Sequence, residues 1–182
     1  SSDLILKGLT SEDGYGRFQK QMEDDAGGLG DYSIAIFGEP GKGVFEFVLT
    51  GRHMTLRGDG NTIDGVAFGG PMVYGHAASG FTEKPAHPGN VFWYQAKRAN
   101  EVFAALDGKQ REKALAAKAP PEGQIAHRRS GYPGVAVGEL SSDQKALVQA
   151  VMGDLLSPYR KQDADEVLAL IAANGGLDKI HL

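Results

Sequence analysis

The fold is decided by residues 32–57, which read Tyr32-Ser-Ile-Ala-Ile-Phe37, Gly38-Glu-Pro-Gly-Lys-Gly43 and Val44-Phe-Glu-Phe-Val-Leu-Thr-Gly-Arg-His-Met-Thr-Leu-Arg57. The β-branched and aromatic residues of the first segment predict a short strand, the glycines and proline of the second predict a turn, and the third segment predicts a long strand. Gaps this short permit only antiparallel pairing, because a parallel crossover needs about a dozen residues or more. With a second turn at 58–61 and a return strand at 62–68, we predict an antiparallel β-meander over about residues 32–76.

Helical patterns lie on both sides of this meander. Before it, residues 9–30 have helical spacing that breaks at Gly27-Gly28, and after it residues 90–182 are mainly helical. One of these helices begins with a capping box, in which Ser141 and Gln144 satisfy each other's backbone donors. Strands followed by helices predict an α+β fold, with the helices packed on one face of the sheet. We expect a single domain over residues 1–182.

Composition excludes several classes of protein. The 182 residues are enough for one domain with a substantial core. The net charge of -4 includes no basic excess for binding nucleic acid, and no apolar run approaches the roughly 18 residues of a membrane span. The chain has no cysteine, which excludes thiolate catalysis and cysteine-ligated metal centres.

Two histidines are the candidate metal ligands. If residues 44–57 form one strand, His53 lies on the same face as the aromatic residues and points into the core. A buried imidazole needs partners for both nitrogens, so His53 is either a hydrogen-bonded core histidine or a ligand. A bulge at Gly51 would instead turn it to solvent. His76 follows the return strand, and two imidazoles with a third group would make a copper, iron or zinc site.

Two arginines flank His53 in sequence. Arg52 faces the opposite side of the predicted strand and is expected to be solvated. Arg57 lies on the same side as His53 and is either another solvated arginine or a bidentate clamp on a carboxylate or phosphate. On the second reading, Arg57 is the predicted substrate-binding residue.

Several stretches resemble the DUF3500 family, and especially its planctomycete-type members. They are Ile34-Ala-Ile-Phe-Gly-Glu-Pro40, the pattern Gly51-x-His53-x-x-Leu56, the turn Phe68-Gly-Gly70 and Phe92-Trp-Tyr-Gln-Ala-Lys-Arg-Ala-Asn-Glu-Val-Phe103. The resemblance runs from about Gln19 to Leu182 and implies little about activity, because the family is uncharacterised. Many of its members carry His where this chain has Arg52, so a ligand role is implied for His53 alone.

The resemblance also implies that this chain is a fragment of a longer protein. Family members have a helical segment before the matching part and a stretch with tryptophans and a Pro-His-x-His-like strand after it. The histidines of that strand would be natural third and fourth ligands beside His53, so we expect the missing segments to be partners of this chain. An export signal in many members implies an extracytoplasmic location.

Two functions follow as expectations. The first is a metal-binding protein with a redox or oxygen-handling role, in which His53 and His76 are ligands and Arg57 binds an anionic substrate. The second is a non-enzymatic interaction or scaffold domain with His53 as a structural core histidine, using its glycine-rich turn and the displayed part of Phe92-Trp93-Tyr94. Convergence of His53 with carboxylates or other histidines favours the first, whereas a bond to a backbone carbonyl within an apolar core favours the second.

Overall fold

The computed structural model describes residues 2–60, 72–75, 87–118 and 130–182. These residues divide into two units. The sheet unit comprises the described residues within Ser1–Tyr94 and Leu155–Asp165, and the helical unit comprises those within Gln95–Asp154 and Glu166–Leu182. The residues of the candidate site all belong to the sheet unit.

The sheet unit is built on an antiparallel sheet. Its described strands, in sheet order, are β1 (Ser33–Gly38), β2 (Phe45–Thr50) and β3 (Thr55–Gly60). The register places Leu49 of β2 opposite Ile34 of β1 and opposite Leu56 of β3. Because side chains alternate across a strand, Phe47, Leu49 and Leu56 share one face, and all three are buried there.

Two helices that precede the sheet cover this face. They are α1 (Ser2–Leu9) and α2 (Glu12–Ala26). Leu6, Phe18 and Met22 from these helices join the buried strand residues in one apolar cluster. Each such side chain contributes about 1.5–3 kcal/mol when it is removed from water. An antiparallel sheet with helices on one face confirms the predicted α+β class.

The chain reverses direction within residues 44–57, so the prediction of one long strand there is wrong. The Gly51 N–H donates to the Met54 carbonyl at 2.9 Å, and Thr50 lies opposite Thr55 with their hydroxyl oxygens 2.8 Å apart. β2 and β3 are therefore the two arms of a hairpin. Alternation misleads here because the turn continues the strand-like pattern and contains a single glycine as its turn signal.

This reversal moves His53 out of the sheet. His53 lies in the hairpin turn with its side chain 39% exposed, so the expectation that it points into the core from the middle of a strand is wrong. The turn that begins at Gly51 brings the His53 ring to the surface, as a bulge at Gly51 would also do.

The aromatic ring of Tyr32 explains why Gly51 is a glycine. Tyr32 precedes β1 and is buried, with its ring against the first residue of the turn. A Cβ atom at Gly51 would lie 2.3 Å from Tyr32 Cε1, which is far inside contact distance. The space beside Gly51 is therefore filled by Tyr32.

The other described helices follow the sheet in sequence. They are α3 (Trp93–Ala105), α4 (Gly108–Ala114), α5 (Ser142–Leu156) and α6 (Lys161–Ala173). The predicted capping box begins α5, since Ser141 Oγ accepts from the Gln144 N–H at 3.3 Å and Gln144 Oε1 accepts from the Ser141 N–H at 2.9 Å. The core of the helical unit contains Val102, Leu106, Val135, Val137, Leu140 and Val148.

The end of the predicted meander is described in part. The predicted return strand at 62–68 and His76 lie outside the described residues. Val73 forms an antiparallel bridge with Thr55, with backbone hydrogen bonds of 2.7 and 2.9 Å. The chain therefore comes back beside the first residue of β3.

The contact between Tyr32 and Gly51 can be tested by substitution. Gly51→Ala should lower the free energy of unfolding by about 1–3 kcal/mol, the usual cost of overpacking, because the new methyl group meets the Tyr32 ring. Gly16→Ala is the matched control, since Gly16 lies in α2 with no neighbouring atom within 4 Å and should gain up to about 1 kcal/mol. Urea unfolding of both variants measures the difference, and an unchanged Gly51→Ala protein would contradict this packing.

Candidate functional site

The last turn of α2 contributes a buried carboxylate. Asp25 ends the acidic run Glu23-Asp24-Asp25, and Gly27 then closes the helix in the left-handed conformation with φ of 80°. The Asp25 side chain is 5% exposed, whereas Glu23 and Asp24 face solvent. A negative charge is unfavourable at the carboxyl end of a helix, where backbone carbonyls point outward. Asp25 therefore needs partners that offset both its burial and its position.

The hairpin turn supplies the main partner. His53 Nδ1 lies 2.9 Å from Asp25 Oδ2. An ionised carboxylate only accepts hydrogen bonds, so Nδ1 carries the proton and the lone pair of the neutral imidazole is on Nε2. A buried acid thus fixes the tautomer and orientation of a ring that remains partly exposed.

Gln21 fixes the backbone of the same turn. Gln21 is fully buried and lies one helical turn before Asp25. Its Nε2 donates to the His53 carbonyl at 2.9 Å, and its Oε1 accepts from the Gly75 N–H at 2.8 Å. One face of α2 therefore holds both the ring and the main chain of His53, and it links them to the segment that leads to His76.

A buried tyrosine hydroxyl lies near the same carboxylate. Tyr32 Oη is inaccessible to solvent and has no hydrogen-bond partner among the residues that the structure describes. Burial raises the pKa of Tyr32, and the negative charge of Asp25 raises it further. The hydroxyl is therefore protonated at neutral pH and remains a potential donor near Asp25.

Arg57, the predicted anion-binding residue, lies on the face of the sheet opposite the buried side chains of Leu49 and Leu56. Its Nε is 2.7 Å from Glu46 Oε1 and its Nη2 is 2.8 Å from Glu46 Oε2. Asp59 Oδ1 is 3.4 Å from the same Nη2. A substrate-binding role for Arg57 stays a prediction, and it would require these carboxylates to release the guanidinium.

Arg52 is placed differently. It neighbours His53 in the turn, its side chain is 69% exposed, and its Nη1 lies 3.8 Å from Asp25 Oδ1. The structure therefore brings together Asp25, His53 and Arg52, with Tyr32 close to the acid.

The second predicted ligand, His76, lies outside the described residues. The pairing of Val73 with Thr55 is antiparallel, so residues 73–75 run along the hairpin in the direction of His53. Within the described ranges, no group of three or more His, Asp or Glu residues is arranged to hold a metal ion. The described part of the site therefore contains one imidazole, that of His53, and the Asp25 carboxylate that orients it.

His87 lies elsewhere. It is exposed in a loop, where its Nδ1 accepts from the Gly89 N–H at 3.0 Å. His87 is therefore a surface residue with a local backbone partner, which makes it a natural control for His53.

Sequence reasoning missed Asp25, Gln21 and Tyr32. Asp25 is 28 residues from His53, and no short-range pattern connects residues so far apart. Two weak signals were available. One is the acidic run immediately before a helix-ending Gly-Gly pair, which places charge where a helix disfavours it, and the other is the glycine after Thr50, which marks a turn.

An apolar cavity of about 220 Å³ in the helical unit is a poorer candidate. Binding sites combine apolar walls with a few polar groups that orient the ligand. The residues that line this cavity carry no polar side chain, and they are Ala99, Val102, Phe103, Leu106, Ala114, Val148, Val151 and Leu182.

The family comparison agrees with the resemblance in sequence. The family model described as "Protein of unknown function (DUF3500)" matches residues 2–182, so the chain belongs to the DUF3500 family. No curated protein and no solved structure matches the chain. In the described part of the chain, no helix has the length and apolar character needed to cross a membrane.

Ionisation of Tyr32 should report its proximity to Asp25. Because its folded-state pKa is raised above the ordinary value of about 10, the protonated hydroxyl contributes stability that is present below that pH and is lost as the pH rises through the folded-state pKa. In Asp25→Asn the negative charge is removed, so Tyr32 should ionise at a lower pH. Phenolate absorbance during a pH titration measures this, with circular dichroism recording that the protein stays folded.

Two controls accompany this titration. Tyr32→Phe identifies which step belongs to Tyr32. Tyr159 is an internal control, because burial and the neighbouring Tyr74 and Tyr94 raise its pKa well above the ordinary range, so it should stay protonated in both proteins. Identical titrations of the parent and Asp25→Asn proteins would contradict the proximity.

Proposed function

We propose that this protein binds a transition metal, copper, iron or zinc, through His53 Nε2. The observation that carries the proposal is the 2.9 Å contact between His53 Nδ1 and the buried Asp25 carboxylate. Metal-binding histidines typically donate their other ring N–H to a carboxylate, which fixes the tautomer and makes the coordinating nitrogen more basic. Imidazole suits all three metals.

His76 is the proposed second ligand. Its support is the Gln21 side chain, which bonds to both the His53 carbonyl and the Gly75 N–H and so ties the residue before His76 to the His53 turn. A tetrahedral zinc site has four ligands, and the family resemblance implies further histidines outside residues 1–182 for the remaining positions. If the metal is copper or iron, a redox or oxygen-handling role follows.

The second candidate is a non-enzymatic interaction or scaffold domain. Its support is Trp93, which is 38% exposed between a buried Phe92 and a Tyr94 whose hydroxyl lies 2.9 Å from Ser157 Oγ. At least one aromatic of this triplet was expected at the surface, and Trp93 confirms that. The structural role that this candidate gives to His53 has less support, because the side chain is partly exposed and bonded to a carboxylate.

Elemental analysis of the purified full-length protein tests the metal proposal, with His53→Asn as the decisive variant. An asparagine amide can still donate to Asp25 but lacks an equivalent of Nε2, so this variant keeps the structural hydrogen bond and loses the ligand. We expect stoichiometric copper, iron or zinc in the parent protein and none in His53→Asn. Asp25→Asn should retain the site with a metal affinity reduced by about 10–100-fold.

His87→Asn is the matched control. It also replaces a histidine by asparagine, and the new side-chain oxygen can accept from the Gly89 N–H as His87 Nδ1 does. It should bind metal like the parent. A parent protein that takes up no added copper, iron or zinc, or a His53→Asn protein that retains metal, would overturn the proposal.

A further inference from the structure

The hairpin carries two guanidinium groups with different surroundings. Arg57 is held by both oxygens of Glu46 and approached by Asp59, and its side chain is 32% exposed. Arg52 is 69% exposed. Within the described part of the chain, Arg52 makes no side-chain hydrogen bond, and its one ion pair is the 3.8 Å approach to Asp25.

Asp25 does not occupy the donors of Arg52. The Nη1–Oδ1 distance of 3.8 Å is beyond hydrogen-bond range, and Asp25 Oδ2 is bonded to His53. A pair with one exposed partner is also weakened by solvent and salt. Arg52 therefore presents its planar set of N–H donors to solvent, and this fork matches the two oxygens of a carboxylate or phosphate.

We infer that Arg52 binds the oxyanion group of a small ligand, a carboxylate or a phosphate monoester, beside the metal held by His53. This inference rests on the proposed function, which places the metal at His53 Nε2. A divalent ion and Arg52 together carry more positive charge than Asp25 offsets, so an anionic ligand balances the site. The adjacent acids Glu23 and Asp24 oppose an anion, which makes the charge of the metal important for affinity.

Arg57 is less able than Arg52 to bind a carboxylate or a phosphate. An anion there would have to displace the Glu46 carboxylate, whose Oε2 accepts from Arg57 Nη2 at 2.8 Å and whose Oε1 lies 2.7 Å from Nε, and it would meet the charge of Asp59. Arg57 is therefore the rival residue against which Arg52 is compared.

The test is calorimetric titration of acetate and of methyl phosphate into the full-length protein, in its zinc-loaded and its chelator-treated forms, at constant ionic strength. We expect the zinc-loaded parent to bind at least one of the two anions, and Arg52→Gln to weaken that binding by about tenfold or more, as the loss of a charged hydrogen bond predicts. Arg57→Gln should leave the dissociation constant near that of the parent. The anion that binds more tightly identifies the ligand class.

The outcomes separate this inference from the proposed function. If zinc binds and Arg52→Gln retains the affinity of the parent for both anions, or if neither anion binds the parent in either form, the inference is overturned and the metal site stands. If zinc does not bind and added copper and iron do not bind either, the proposed function fails. The chelator-treated form then decides the anion-binding role of Arg52 without a metal, since loss of anion binding in Arg52→Gln supports that role and unchanged or absent binding overturns it.

Discussion

α2 buries the charge of Asp25 at its carboxyl end, where the backbone carbonyls point outward. The local structure follows from the need to pair that charge. The last turn of α2 contains no basic residue, so the partner has to come from another part of the chain. The hairpin between β2 and β3 provides it by placing His53 and Arg52 beside the carboxylate. An unpaired buried carboxylate would cost several kcal/mol, which is enough to specify where this turn must lie.

The same constraint accounts for the residues around the pair. Gln21 is on the same face of α2 as Asp25 and fixes the backbone of the turn at His53, so the imidazole is held from two directions. Gly51 has no side chain because the ring of Tyr32 occupies the adjoining space. The Tyr32 hydroxyl is consequently buried near the acid without a described partner.

Local signals in the sequence predicted much of the fold. The β-branched run before Gly38 predicted β1, and the capping box at Ser141 predicted the start of α5; both are confirmed. The α+β class followed from the order of these elements. The hairpin was missed because Thr50-Gly-Arg-His-Met-Thr55 continues a strand-like alternation and has one glycine as its turn signal. The hairpin has a backbone hydrogen bond from Gly51 to Met54 and a side-chain contact from His53 to Asp25, and no local pattern encodes the second of these.

The candidate site was predictable to the level of one residue. His53 was identified from the sequence, while its orienting acid was not, because the contact joins a helix end to a turn 28 residues away. The same carboxylate–imidazole pair that orients a metal ligand can also orient a general base. Both readings place the reactive lone pair on Nε2, so the tautomer of His53 is the property on which any chemistry at this site depends.

The most direct measurement is therefore a nitrogen-15 correlation spectrum of the histidine side chains, recorded with and without zinc and assigned with His53→Asn. The account predicts that neutral His53 carries its proton on Nδ1, and that zinc shifts its Nε2 resonance. A proton on Nε2 in the neutral ring, or a His53 resonance that zinc leaves unchanged, would contradict the central claim that Asp25 orients His53 for metal binding.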